Sequence, residues 1–218
     1  MVRNDNIDNI FHILNGEVKQ WKVPAVTLIS RKRGPFQVLI SCIISLRTKD
    51  EVTGKASRKL YALADCPEKL SRLSEDQIAD AIYPAGFYRQ KAKQILAISK
   101  DLLSNYDSVV PDNIEELLKF KGVGRKTANL VLTLGYGKPG ICVDIHVHRI
   151  TNRWGYVDTK TPDATEVALR QKLPKKYWIP INDILVTFGQ NICTPLSPHC
   201  SKCKLHTYCK RSGVEKSR

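Results

Sequence analysis

The run Phe36-Gln37-Val38-Leu39-Ile40-Ser41-Cys42-Ile43-Ile44-Ser45-Leu46 is apolar on nearly every side and opens on Pro35. It is longer than a typical strand, and proline suits the first position of a helix. The run therefore predicts a central helix, and a helix apolar all round needs others packed on every side. Its polar exit, Arg47-Thr48-Lys49-Asp50, surfaces at the rim of whatever the helix supports.

The rest of the chain supplies those partners. Ile7, Ile10, Phe11, Leu14 and Val18 recur at helical spacing, with Trp21 near the end of the stretch before Pro24 stops it. Asp50 is positioned to cap a helix over 51–64, and Ser74-Glu75-Asp76-Gln77 has capping-box form ahead of Ile78 to Ile82. Pro84-Ala85-Gly86 forces a turn into Phe87-Tyr88. The spacing then predicts a helix over 89–103 with Ile95, Leu96, Ile98, Leu102 and Leu103 inward. Asp112 is placed to cap 114–120, a glycine hairpin leads into 125–134, and Asp144 can cap a segment reaching Trp154. Thr161-Pro162 opens another helix, and Ile181, Ile184, Leu185 and Phe188 mark one more. Roughly ten helices result. Val143 to Val147 alternates as a short strand would, but has no obvious partner. The fold class is all-α.

Hydrophobic residues make up 42% of the 218, enough for a real core. Lys and Arg number 35 against 21 Asp and Glu, a net charge of +14 spread along the whole chain, with pI ≈ 9.5. That balance favours a polyanionic partner. No stretch of ~18 apolar residues occurs, and the first residues carry neither an apolar h-region nor an arginine-rich presequence, so the expected setting is intracellular, with no membrane. Seven cysteines there argue against a disulfide framework. Four of them, Cys193, Cys200, Cys203 and Cys209, follow C-x6-C-x2-C-x5-C. Soft thiolates in that density point to metal, and the spacing alone leaves zinc and an iron–sulfur cluster both open. Lys202, Lys204, Lys210 and Arg211 among them suggest that the metal loop also faces phosphate.

In Lys121-Gly122-Val123-Gly124-Arg125-Lys126, the glycines serve where φ > 0 or close backbone approach is needed, and a helix begins on two cations. The open N–H groups of such a helix start can hold phosphate without reading sequence; an ordinary helix corner is the plainer reading. A lysine there can also be a nucleophile. Asp144, eighteen positions on in Val143-Asp144-Ile145-His146, is the kind of carboxylate that attack at a sugar carbon requires. His146 and His148 form an H-x-H, better suited to hydrogen bonding or phosphate contact than to metal.

These motifs together resemble the helix-hairpin-helix DNA glycosylases, most closely the endonuclease III family. The resemblance spans nearly the whole chain: Leu39 to Ser45 with Thr48-Lys49-Asp50; Gly86-Phe87-Tyr88; Gly122 to Asn129; Val143 to His146; and the cysteine loop. It implies a 4Fe-4S cluster on Cys193, Cys200, Cys203 and Cys209, and double-stranded DNA with damaged bases or abasic sites as partner. It implies that Lys126 attacks C1′, expels the base and forms a Schiff base that undergoes β-elimination. A helix N-terminus beside Arg125, in a partly desolvated pocket, would favour the neutral amine this requires. Asp144 would stabilise the cationic sugar and help move protons.

Arg47 and Phe87 would fill the space of the everted base and wedge beside its orphaned partner; a plain core role for Phe87 is the alternative. Many family members carry glutamine where Arg47 stands, a departure that bears on lesion preference. Lys121, Gly122, Val123, Gly124, Arg125 and His146 complete the expected DNA contacts.

The resulting expectation is a two-lobed protein. Residues 25–137 form a six-helix domain with the hairpin, and 1–24 with 138–218 form the cluster domain; Lys126 comes from one lobe and Asp144 from the other. It would act as a monomer at the nucleoid, excising oxidised pyrimidines and cutting the strand. Two rivals are an iron–sulfur DNA-binding regulator without catalysis and a mismatch or uracil-type glycosylase.

Overall fold

A computed structural model describes residues 1–218, all helical and without strands. The chain forms two compact units, Pro24–Gly140 and Met1–Val23 with Ile141–Arg218. No helix is long and apolar enough to cross a membrane.

The first unit is built around α3. Its helices are α2 (Ala25–Ser30), α3 (Pro35–Ser45), α4 (Asp50–Leu63), α5 (Pro67–Leu70), α6 (Glu75–Ile82), α7 (Tyr88–Asn105), α8 (Ile114–Leu117) and α9 (Arg125–Leu130). Val38, Leu39, Ile40, Ile43 and Ile44 are fully buried, and α3 packs on α2, α4, α7 and α9, as an all-round apolar helix must. Ser74 and Gln77 close a reciprocal capping box on α6, with Ser74 N donating to Gln77 Oε1 at 2.8 Å and Gln77 N to Ser74 Oγ at 3.1 Å.

The caps expected at Asp50 and Asp112 are different. Asp50 lies inside α4 and spends both carboxylate oxygens on Ala25 N, tying α4 to the start of α2. Asn113, not Asp112, caps α8 through Glu116 N, while Asp112 pairs with Lys138. Leu103, expected inward, lies on the exposed side of α7. Past Leu130 the expected α-helix continues as a π-helical turn, Val131–Gly135. There Thr133 Oγ1 donates to Asn129 O at 2.8 Å, engaging a carbonyl of the normal ladder.

The second unit packs α1 (Ile7–Val18) and α12 (Ile181–Asn191) together, with α10 (Ile145–Arg153) against α12 and α11 (Pro162–Lys172). Ile10, Phe11 and Leu14 meet Val147, Ile150, Trp154, Leu185 and Phe188 in one buried cluster. Residues 143–147 form no strand, because Asp144 starts a helix at Ile145.

Candidate functional site

Gly122 shapes the hairpin before α9 for two reasons. Its φ is +79°, and an added Cβ would lie 2.4 Å from Gln94 Nε2. Gln94 Nε2 uses that space to donate to Lys121 O at 2.9 Å, locking the hairpin onto α7. Val123 turns inward and its N–H donates to Phe120 O at 3.0 Å, so it anchors the corner instead of facing outward. Gly124, in extended conformation, is the N-cap of α9, and Lys121, Gly122 and Gly124 are exposed.

Lys126 follows in the first turn of α9 and is also exposed. Partial desolvation was expected for it, and the folded chain leaves it exposed. Cys42 of α3 lies in its field. Burial pushes the Cys42 thiol up to about 12, and the Lys126 charge draws it partly back. Cys42 is thus an inert neighbour.

Asp144 is 8% exposed and belongs to the other unit. Its Oδ1 accepts from His146 N at 2.8 Å and Val147 N at 2.9 Å, capping α10 and fixing the carboxylate at the helix start. The two histidines of the H-x-H take separate partners. Arg149 Nη2 lies 3.0 Å from His146 Nδ1, and His148 Nδ1 lies 2.7 Å from Thr165 Oγ1.

Arg47 and Phe87 are both exposed, Phe87 by 56%, so it is not a core residue. Both adopt left-handed backbone, φ 50° and 59°, which bulky residues rarely hold. The Arg47 guanidinium carbon stands 5.5 Å from the centre of the Phe87 ring. The loops carrying them are pressed together, because a Cβ on Gly86 would meet Arg47 O at 2.4 Å.

Sequence reasoning missed Lys91 of α7. It is 5% exposed and donates to Ile44 O (2.7 Å), Leu46 O and Thr48 Oγ1 (2.8 Å). The signal was present: Lys91 shares the inward spacing of Ile95, Ile98 and Leu102.

All four cysteines of the C-terminal loop line one cavity of about 380 Å³, counting the solvent at its mouth. Arg153, buried on α10, also went unnoticed in the sequence. It donates through Nη1 to Cys193 Sγ (3.4 Å) and Thr194 O (2.7 Å), and through Nη2 to Pro195 O (2.7 Å). Arg149 Nη2 donates to Cys193 O at 2.8 Å and Gly189 O at 3.1 Å. Lys202, Lys204, Lys210 and Arg211 are all exposed, and Lys204 also pairs with the buried Glu17 at 2.8 Å.

Residues 40–175 match the HhH-GPD superfamily of base excision DNA repair proteins. The chain is 49% identical over 180 residues to Endonuclease III of Thermotoga maritima, covering 83% of this chain and 84% of that one. The chain belongs to the endonuclease III family. A non-covalent Endonuclease III–DNA complex superposes with TM-score 0.85 at 28% identity, covering 97% of each chain. A trapped Endonuclease III–DNA covalent intermediate superposes with TM-score 0.77 at 32% identity, covering 82% of this chain and 84% of that one. As an endonuclease III family member the protein is a DNA glycosylase and lyase of base excision repair. That sets aside the reading as a regulator without catalysis.

Proposed function

We propose that the protein excises oxidised pyrimidines from double-stranded DNA with Lys126 as nucleophile and Asp144 as its carboxylate partner. The observation that carries the reading is Lys126 at the first turn of α9, behind a locked glycine hairpin, in a chain 49% identical to Endonuclease III of Thermotoga maritima.

The exposed Lys121 and the hairpin backbone grip phosphates beside the lesion, and the net charge of +14 draws the duplex in. Arg47 and Phe87 enter the stack as the damaged nucleotide everts, offsetting an unstacking cost of a few kcal/mol. DNA brought over Lys126 removes water from around the amine. The amine nitrogen bonds to C1′ as the glycosidic bond breaks, and the base departs with the bonding pair and a proton. Asp144, held by two amides, stabilises the cationic sugar during that step. Ring opening then gives a Schiff base, and loss of a C2′ proton expels the 3′ phosphate by β-elimination.

Cys193, Cys200, Cys203 and Cys209 would hold the 4Fe-4S cluster that this family generally carries. Four soft thiolates lining one cavity would fit such a cluster. A cluster held by these cysteines would cross-link the C-terminal loop. Arg153 and Arg149 hold that loop to α10, the helix Asp144 caps. We place the protein on chromosomal DNA at the nucleoid, acting as a monomer.

A panel of duplexes carrying thymine glycol, dihydrouracil, uracil, a G:T mismatch or an abasic site tests the substrate class. Excision of the first two with strand cleavage is expected. Uracil or G:T as the preferred substrate would replace the reading with a mismatch-type glycosylase.

A further inference from the structure

We infer that Lys91 is a positioning residue that sets the Arg47 loop and the Phe87 turn as one unit for insertion into DNA. This rests on the role proposed above for Arg47 and Phe87.

Lys91 has three N–H donors and three acceptors, Ile44 O, Leu46 O and Thr48 Oγ1, so its donor capacity is filled within the fold. All three acceptors are uncharged. The buried ammonium thus has no carboxylate among these partners, and burial lowers its pKa to about 8. Ile44 O and Leu46 O lie at the C-terminal end of α3, where a cation is favoured. A helix cap alone would need nothing further, yet Leu46 and Thr48 are the two neighbours of Arg47. The ammonium therefore fixes the backbone on one side of the Arg47 tip and the side chain on the other.

Thr48 carries the connection onward. Its hydroxyl donates to Leu46 O at 3.2 Å and accepts from Lys91 Nζ and, at 3.1 Å, from Gly86 N. Its donor and both its lone pairs are thereby occupied. Gly86 precedes Phe87 and has no room for a Cβ against Arg47 O. Lys91 and Thr48 together hold the left-handed Arg47 and Phe87, with the guanidinium beside the ring.

The test measures two rates on the cluster-loaded protein: single-turnover excision of thymine glycol from a duplex, and borohydride trapping on a single-stranded abasic site, where there is no base stack to enter. For both Lys91→Met and Thr48→Val, excision should fall at least about tenfold further than trapping. Thr48→Ser, which keeps the hydroxyl, should restore excision. If Lys91→Met fails to fold, the Thr48 pair decides. Wild-type excision in Lys91→Met and Thr48→Val, or equal loss of excision and trapping, overturns the inference. Arg47→Ala and Phe87→Ala separate it from its premise. Wild-type excision by both sinks the insertion reading and this inference with it. Loss in both, with none in Lys91→Met and Thr48→Val, sinks the Lys91 role alone.

Discussion

Asp144 accepts the backbone N–H of Val147 through Oδ1 at 2.9 Å, so the carboxylate assigned to the chemistry also holds the start of its own helix. The two roles separate by substitution. Asn keeps an oxygen in the cap, whereas Ala loses it at a cost of about 1 kcal/mol. Urea unfolding should therefore place Asp144→Asn near wild type and Asp144→Ala below it. Excision by Asp144→Asn should drop on the order of 10²-fold, the usual loss when an electrostatic stabiliser is removed. Undiminished excision by the Asn variant would take the carboxylate out of the mechanism.

Burial holds the His148 imidazole below its ordinary value of 6.5, with Nδ1 beside Thr165 Oγ1. Below pH 6.5 the unfolded chain then takes up a proton that the native ring resists. The stability this contributes is fully present above about 6.5 and is lost as pH falls through the lower native value. Chemical denaturation between pH 5 and 7 should show a downward slope on acidification that His148→Gln flattens. An identical slope in both would contradict the assignment.

Metal analysis decides the cysteine loop. About four irons per chain with acid-labile sulfide and broad visible absorbance are expected. Cys203→Ser should lose the absorbance and weaken the unit that contains α10. One zinc per chain would contradict the cluster.

DNA affinity should fall with salt by about 0.9 log unit per log unit for each phosphate neutralised, and Lys121→Ala should lower that slope by about one contact. A slope unchanged in Lys121→Ala would remove Lys121 from the interface.

What could be read from the sequence was local. The Pro35 start, the apolar run behind it and the Ser74–Gln77 box carry their own signals within a few residues, and all three form as the pattern implies. Asp50 and Asp112 misled because each carboxylate finds a partner about 25 positions away, at Ala25 and Lys138, that local capping patterns do not reveal. Short α2 and α5 escaped notice since six and four residues cannot display a helical period. At the site, the hairpin and the cysteines stood out by composition. Lys91 shares the inward spacing of its helix and Arg153 carries no pattern of its own, and only the folded chain brings Thr48 to one and Cys193 to the other.

The central claim is that Lys126 is the nucleophile. Borohydride trapping on abasic-site duplex tests it most directly, since only an amine joined to C1′ as a Schiff base can be reduced into a stable adduct. The wild-type protein should give a covalent protein–DNA species and Lys126→Ala none, with Lys126→Ala still binding the duplex. A trapped adduct of wild-type yield from Lys126→Ala would contradict the account.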